Sequence, residues 1–232
     1  MKGKLYIAAT PIGNYDDITL RVIKTLSAVN FIICEEFKEA RRLLSHLRIE
    51  KPLITLNEHD EKENSDEVLL KILQGESAAL ISDCGTPIFS DPGLLLVQLC
   101  IANKIDVVPL PGANSLMTAL SAAGVNADTF YFAGWLSPKK DIRRKQLLDL
   151  KHKKELLVLM ETPYRLKNLL NDVVSLIGKN THIILAYQLT MSNEKFYRGT
   201  AEQILKIAEE DKLKGEFVLL INNRFEKYSN RV

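Results

Sequence analysis

A chain of 232 residues, 46% hydrophobic and 26% charged, has the composition of an ordinary globular protein and can bury one large core or two smaller ones. Its net charge of +2 names no partner, and neither an N-terminal signal pattern nor an apolar run near the ~20 residues of a bilayer span is present, so a cytoplasmic, non-membrane protein is expected. Cys34, Cys84 and Cys100 are odd in number and far apart, which argues for free thiols over a disulfide framework or a metal site.

Residues 4–9 read as a short apolar strand, and Thr10-Pro11-Ile12-Gly13-Asn14 begins its turn-rich exit. Asp17 is the expected cap of a helix whose apolar face carries Ile18, Val22, Ile23 and Leu26. A strand at 31–34 leaves through Glu35-Glu36-Phe37-Lys38 into a helix at 40–47. A strand at 53–55 enters the acidic loop Asn57-Glu58-His59-Asp60, and Ser65 is expected to start a helix that stops at Gly75. The strand at 78–81 opens into residues 82–93, which hold two Pro and two Gly in twelve positions, with Asp91 and Pro92 as expected N-cap and first helical residue. A strand at 105–109 exits through Pro111-Gly112-Ala113-Asn114 into a helix at 115–123. This alternation on short connections predicts a parallel sheet covered on both faces.

Beyond Gly124 the rhythm changes. Strands are expected at 130–133, 156–160 and 216–221, with a hairpin whose turn is Met191-Ser192-Asn193. Helices are expected at 142–150, from Thr162-Pro163 to Ile177, and from a Thr200/Gln203 capping box to Asp211. Consecutive strands imply a mixed or antiparallel sheet, hence an α/β protein of two domains, residues 1–114 and 115–232.

Familiar phosphate chemistry is absent. No Gly-x-x-x-x-Gly-Lys loop occurs, and the first strand is followed by Thr-Pro-Ile-Gly instead of a Gly-x-Gly-x-x-Gly turn. His46, His59, His152 and His182 lack metal-ligand spacing. What remains is three strand exits rich in Pro, Gly and small polar residues, at 10–13, 85–87 and 111–115. In a parallel sheet they open on one edge and would converge on one ligand. With no lysine in them, they suit a compact zwitterion better than a polyphosphate. Charge is also segregated: residues 139–154 hold eight Lys or Arg against two Asp, which suggests an anionic partner there.

Together, Ala9-Thr10-Pro11-Ile12-Gly13-Asn14, Ser82-Asp83-Cys84-Gly85-Thr86-Pro87 with Ser90-Asp91-Pro92-Gly93, Pro109-Leu110-Pro111-Gly112, Glu161-Thr162-Pro163-Tyr164-Arg165, Arg198-Gly199-Thr200 and Gly215-Glu216-Phe217 resemble the ribosomal RNA small-subunit methyltransferase I family, a branch of the tetrapyrrole methylases. The resemblance implies a homodimer of two-domain α/β chains, each with S-adenosylmethionine in the cleft between its domains. It also implies methylation of the 2'-hydroxyl of a cytidine in the decoding region of small-subunit ribosomal RNA. By motif position, Pro11, Cys84, Gly85, Thr86, Phe89, Asn114, Ser115, Met160 and Ala186 would line the cofactor site, largely through main-chain atoms.

A ribose hydroxyl is a poor nucleophile at neutral pH, and a positioned base contributes about 10²–10⁴-fold. Glu35, Glu36, His59 and Asp83, all at strand exits, are the candidates, and neither the residues nor the resemblance ranks them. Arg41, Arg42, Lys139, Lys140, Arg143 and Arg144 are the candidate phosphate contacts. The chain departs from the family's Glu-Asp-Thr-Arg with Glu35-Glu36-Phe37-Lys38, and from its His-Glu-His-Asn with Asn57-Glu58-His59-Asp60. A paralogue acting on another RNA or on a tetrapyrrole, and an RNA-binding protein without catalysis, are the alternatives. The basic segment speaks against the tetrapyrrole and the intact 82–93 loop against the idle binder.

Overall fold

The computed structural model describes residues 2–57, 61–89 and 91–223. The chain divides into two compact units, Met1–Asn114 and Ser115–Val232. In the first, strands β1 (Leu5–Ala8), β2 (Phe31–Cys34), β3 (Leu53–Thr55), β4 (Ala78–Ile81) and β5 (Val107–Leu110) form one sheet in the order β3-β2-β4-β1-β5. Every pairing in it is parallel. The central strands β2 and β4 are apolar and buried at every residue because both faces are covered there. Helices α1 (Leu20–Ala28) and α2 (Phe37–Leu47) bury Val22, Leu26, Leu43 and Leu44 with Ile32 and Ala79 of the sheet. On the opposite face, α3 (Glu61–Leu73) and α4 (Leu94–Ala102) bury Val68, Ile72, Leu96 and Cys100 with Ile33 and Leu80.

The second unit carries β6 (Phe130–Trp135), β7 (Leu156–Glu161), β8 (His182–Tyr187), β9 (Lys195–Thr200) and β10 (Phe217–Asn222) in the order β6-β7-β10-β8-β9. Only β6 and β7 run parallel, so the sheet is mixed. Helices α6 (Lys140–Leu150), α7 (Leu166–Asp172) with the π-helical turn Val173–Ile177, and α8 (Ala201–Glu210) cover one face. Helix α5 (Ser115–Ala122) opens this unit. The capping box is present: the Thr200 hydroxyl accepts from the Gln203 N–H, and the Gln203 side chain accepts from the Thr200 N–H.

Several helix starts differ from the sequence expectation: α2 begins at Phe37 and α6 at Lys140, two or three residues early, and α7 begins at Leu166 after a 3₁₀ turn at Pro163–Arg165. The starts of α1, α3 and α4 also move. Asp17 lies in a short 3₁₀ turn capped by Asn14, and α1 begins at Leu20 with the Thr19 side chain accepting from the Val22 N–H. Ser65 is fully buried inside α3, which begins at Glu61. That Glu61 explains the start of α4. Its Oε1 accepts from the N–H groups of Gly93 at 2.9 Å and Leu95 at 3.4 Å, so α4 is capped by α3, not by Asp91. Gly93, at φ +122°, is required here because a Cβ would stand 2.7 Å from Leu80.

A larger correction concerns the basic segment. Arg143, expected to meet phosphate, is only 5% exposed. Its Nε donates to Asp172 Oδ2 at 2.8 Å, while Nη1 of Arg144 donates to Oδ1 of the same carboxylate at 2.6 Å. These cations tie α6 to α7, and a charge reversal at Arg143 would report on folding instead of RNA binding. Asp172→Ala strands a buried guanidinium, and its expected cost is about 3–5 kcal/mol, read as a lower urea midpoint. A midpoint equal to wild type would show that the triad contributes nothing to this unit.

Candidate functional site

The strand order creates the site. Helix α1 follows β1 on one face and α4 follows β4 on the other, so the chain leaves two neighbouring strands in opposite directions. Such a divergence opens a crevice at the carboxyl ends of the strands. Here the two exits are stitched together. The Thr10 N–H donates to Gly85 O at 2.8 Å, the Gly85 N–H returns to Thr10 O at 3.1 Å, and the buried Thr10 hydroxyl donates to Ser82 O at 3.1 Å. The exit of β5 joins them, because Thr86 Oγ1 donates to Ala113 O and accepts from Asn114 Nδ2, both at 3.3 Å. Three loops predicted to share an edge are one hydrogen-bonded unit.

Two glycines make this approach possible. Gly85 has φ +82°, and a Cβ there would lie 3.2 Å from Ile12 Cγ2. At Gly112 a Cβ would lie 3.0 Å from that of Ala9. The next turn of the loop carries Ile88 at φ +82°, a conformation a β-branched residue rarely adopts. Ile88 packs against the core under α3 and α4, whereas Phe89 is 68% exposed. Strain of this kind gathers where a loop is held for a ligand. Sequence reasoning missed Ile88, since nothing in an isoleucine announces positive φ.

Among the acid and base candidates, the structure brings Asp83 and Glu36 together: Asp83 Oδ1 accepts from the Glu36 N–H at 3.3 Å. Partial burial pushes the Asp83 carboxyl up, the charges of Glu36, Glu39 and Asp91 add to it, and the Glu36 hydrogen bond opposes it. Glu36 is exposed at the N-cap of α2 and Glu35 is half-buried. His59 lies outside the described residues. Burial pushes the Cys34 thiol up to about 12, so it stays protonated beneath the site, whereas Cys84 is exposed in the loop itself.

The remaining cofactor candidates divide between the units. Pro11 is buried at the first loop, and Asn114 ends the third. In the second unit, Ser115 starts α5, and Met160 and Ala186 flank Val218 in one row across β7, β10 and β8. Of the RNA candidates, Lys139 and Lys140 are exposed at the start of α6. Arg41 stands 5.5 Å over the Phe37 ring, and Arg42 pairs with Glu39 at 3.8 Å, both on α2. Of the Glu161-to-Arg165 motif, Arg165 pairs at 2.6 Å with Glu161, whose other oxygen is buried without a hydrogen bond, while Tyr164 is 89% exposed. Among the described residues, no cluster of three or more His, Cys, Asp or Glu could hold a metal ion, and no helix is long and apolar enough to cross a membrane.

Comparison with known proteins agrees with this architecture. The family model of Tetrapyrrole (Corrin/Porphyrin) Methylases matches residues 4–205. The Ribosomal RNA small subunit methyltransferase I of Halalkalibacterium halodurans is 39% identical over 226 residues, 97% of this chain and 78% of that protein. Its namesake from Escherichia coli O157:H7 is 38% identical, over 95% of this chain and 78% of that one. Among solved structures, uroporphyrin-III-C-methyltransferase from Thermus thermophilus superposes with a TM-score of 0.67 at 17% identity, covering 96% of this chain and 95% of that one, a likeness of fold alone. The parallel sheet with its laced strand exits, the mixed second sheet and these matches place the chain in the tetrapyrrole methylase family, within the branch of ribosomal RNA small subunit methyltransferase I.

Proposed function

We propose that this chain is an S-adenosylmethionine-dependent methyltransferase of small-subunit ribosomal RNA, acting on the 2'-hydroxyl of a cytidine ribose in the decoding region. The observation that carries the reading is the bridge of Thr10 to Gly85 at the point where the sheet's connections diverge, in a chain 39% identical to a protein named for that RNA.

The loops suit the donor by their chemistry. Residues 10–14, 82–89 and 111–114 contain no Lys, Arg or His and a single carboxylate, Asp83, which accommodates a sulfonium and a zwitterionic tail and disfavours a polyphosphate. With no Cβ at Gly85 or Gly112, the loops can close against Ile12 and Ala9 and hold their main chain together. Pro11, Cys84, Gly85, Thr86, Phe89 and Asn114 would hold the donor. Bound there, S-adenosylmethionine supplies a methyl group on a good leaving group. The chain's own task is to align the attacking ribose oxygen, exclude water and receive the hydroxyl proton. Asp83 is assigned that last role: its raised pKa makes it a stronger base than an ordinary carboxylate, and the Glu36 N–H orients it.

Arg41, Arg42, Lys139 and Lys140 are the proposed phosphate contacts. A homodimer in the cytoplasm completes the reading. Helix α4 is apolar nearly all round yet leaves Leu94 54% and Ile101 63% exposed, and Leu70 of the adjoining α3 is 59% exposed. A helix of that composition is expected to be covered, and a second copy of the chain is the proposed cover.

The decisive experiment is transfer of labelled methyl to small subunits lacking the modification, where label that never enters the RNA rejects the reading. Gly85→Ala forces a side chain into left-handed backbone at a cost of about 1–2 kcal/mol; the free loop is expected to relieve that strain by leaving its binding geometry, so calorimetry is expected to give roughly tenfold weaker S-adenosylmethionine binding. As pH rises, Asp83 loses its proton above the ordinary Asp range, and the rate is expected to climb with it. Asp83→Asn is expected to remove that limb and lower kcat by about 10²–10⁴-fold with donor affinity retained. An unchanged kcat would pass the role to Glu35 or Glu36. Sedimentation equilibrium is expected to show a dimer that Leu94→Glu with Ile101→Glu converts to monomer.

A further inference from the structure

A second feature of the first unit lies away from the three loops. An open groove of about 970 Å³ runs between α2 and the start of β3, lined among others by Phe37, Arg41, Arg48, Glu50 and Lys51. Because β3 is the outermost strand, this flank of the sheet is not covered by a further strand. Helix α2 runs antiparallel to the strands it connects, so its two ends lie at opposite edges of the sheet. Phe37 stands at the edge of the strand exits, and Arg48 and Lys51 stand at the other. Eleven residues of helix span about 16 Å, room for a short run of nucleotides.

The lining has a definite chemistry. Three cations face one carboxylate, Glu50. Phe37 is 41% exposed with the Arg41 guanidinium over its ring, a flat surface that can receive a base on one side and a phosphate beside it. Lys51 is partly committed, since its Nζ donates to Val29 O at 2.7 Å. Arg41 and Arg48 carry no ion pair among the described residues, in contrast to Arg42, which pairs with Glu39.

Resting on the ribosomal RNA reading above, we infer that this groove binds a single-stranded RNA segment flanking the methylated nucleotide, with Arg41 and Arg48 on its phosphates and Phe37 stacked on a base. Alternating cations and an aromatic along a groove is how single strands are held without sequence readout.

The test measures binding of a single-stranded RNA oligonucleotide to the full chain over a range of salt, without S-adenosylmethionine. For Arg41→Gln with Arg48→Gln, the slope of log K against log salt is expected to shrink by about 1.4, two contacts at about 0.7 each. Phe37→Ala is expected to weaken binding on the order of tenfold with the slope retained. Urea midpoints and donor affinity equal to wild type would keep either loss from being a folding effect. Wild-type affinity and slope in both variants, or no RNA binding by the wild type, overturn the inference. A loss seen only with whole subunits, and never with the oligonucleotide, also overturns it and assigns the groove to a ribosomal protein. Should the wild type transfer no methyl yet show both losses, the groove stands and the function reading fails. Should it methylate normally with both variants binding like wild type, the groove alone fails.

Discussion

The reciprocal hydrogen bonds between Thr10 and Gly85 hold the candidate site in place, since they join two loops that the sheet sends to opposite faces. Each partner depends on a local condition. Gly85 must adopt φ +82° with no side chain against Ile12, and Thr10 must be buried so that its hydroxyl reaches Ser82 O. Satisfying these main-chain groups within the protein leaves the outer rim of the loops to a ligand, and it lets the third loop attach through Thr86 and Asn114. A site assembled this way is selective by shape and by the lack of cations in its loops. That agrees with a small zwitterionic donor and explains why no conspicuous catalytic constellation marks the sequence.

Charge is placed differently in the two units. Around the loops of the first unit the strand exits gather acids, and partial burial, helped by their repulsion, lifts the Asp83 pKa. Along α2 the same unit turns basic. In the second unit, part of what resembles a nucleic-acid patch is internal: Arg143 is buried against Asp172, and the partly exposed Arg144 shares the same carboxylate. A count of lysines and arginines cannot separate these cases, because a guanidinium on a helix face serves either solvent or a buried carboxylate according to what packs opposite.

Much of the architecture was legible. Apolar runs at 31–34 and 78–81 could only be strands buried on both faces, and both are buried at every residue. The Thr200/Gln203 box carries its whole mechanism within four residues and was readable for that reason. The starts of α1, α3 and α4 were not. Thr19 outcompeted Asp17, and Glu61 caps α4 from a helix some thirty positions earlier in the chain, a contact no local window contains.

By itself the sequence determined the class of fold, the three Pro- and Gly-rich exits and the family, because these depend on periodicity, on backbone freedom at particular residues and on motifs contiguous in the chain. Tertiary structure alone decided that β1 and β4 lie side by side, so that Thr10 meets Gly85, and that Arg143 turns inward. It also decided that Phe37, Arg41 and Arg48 share one groove. The physical reason is the same in each instance. Hydrogen bonds and ion pairs act over about 3 Å, and which residues come that close is settled by the order of strands in the sheet and the packing of helices on it.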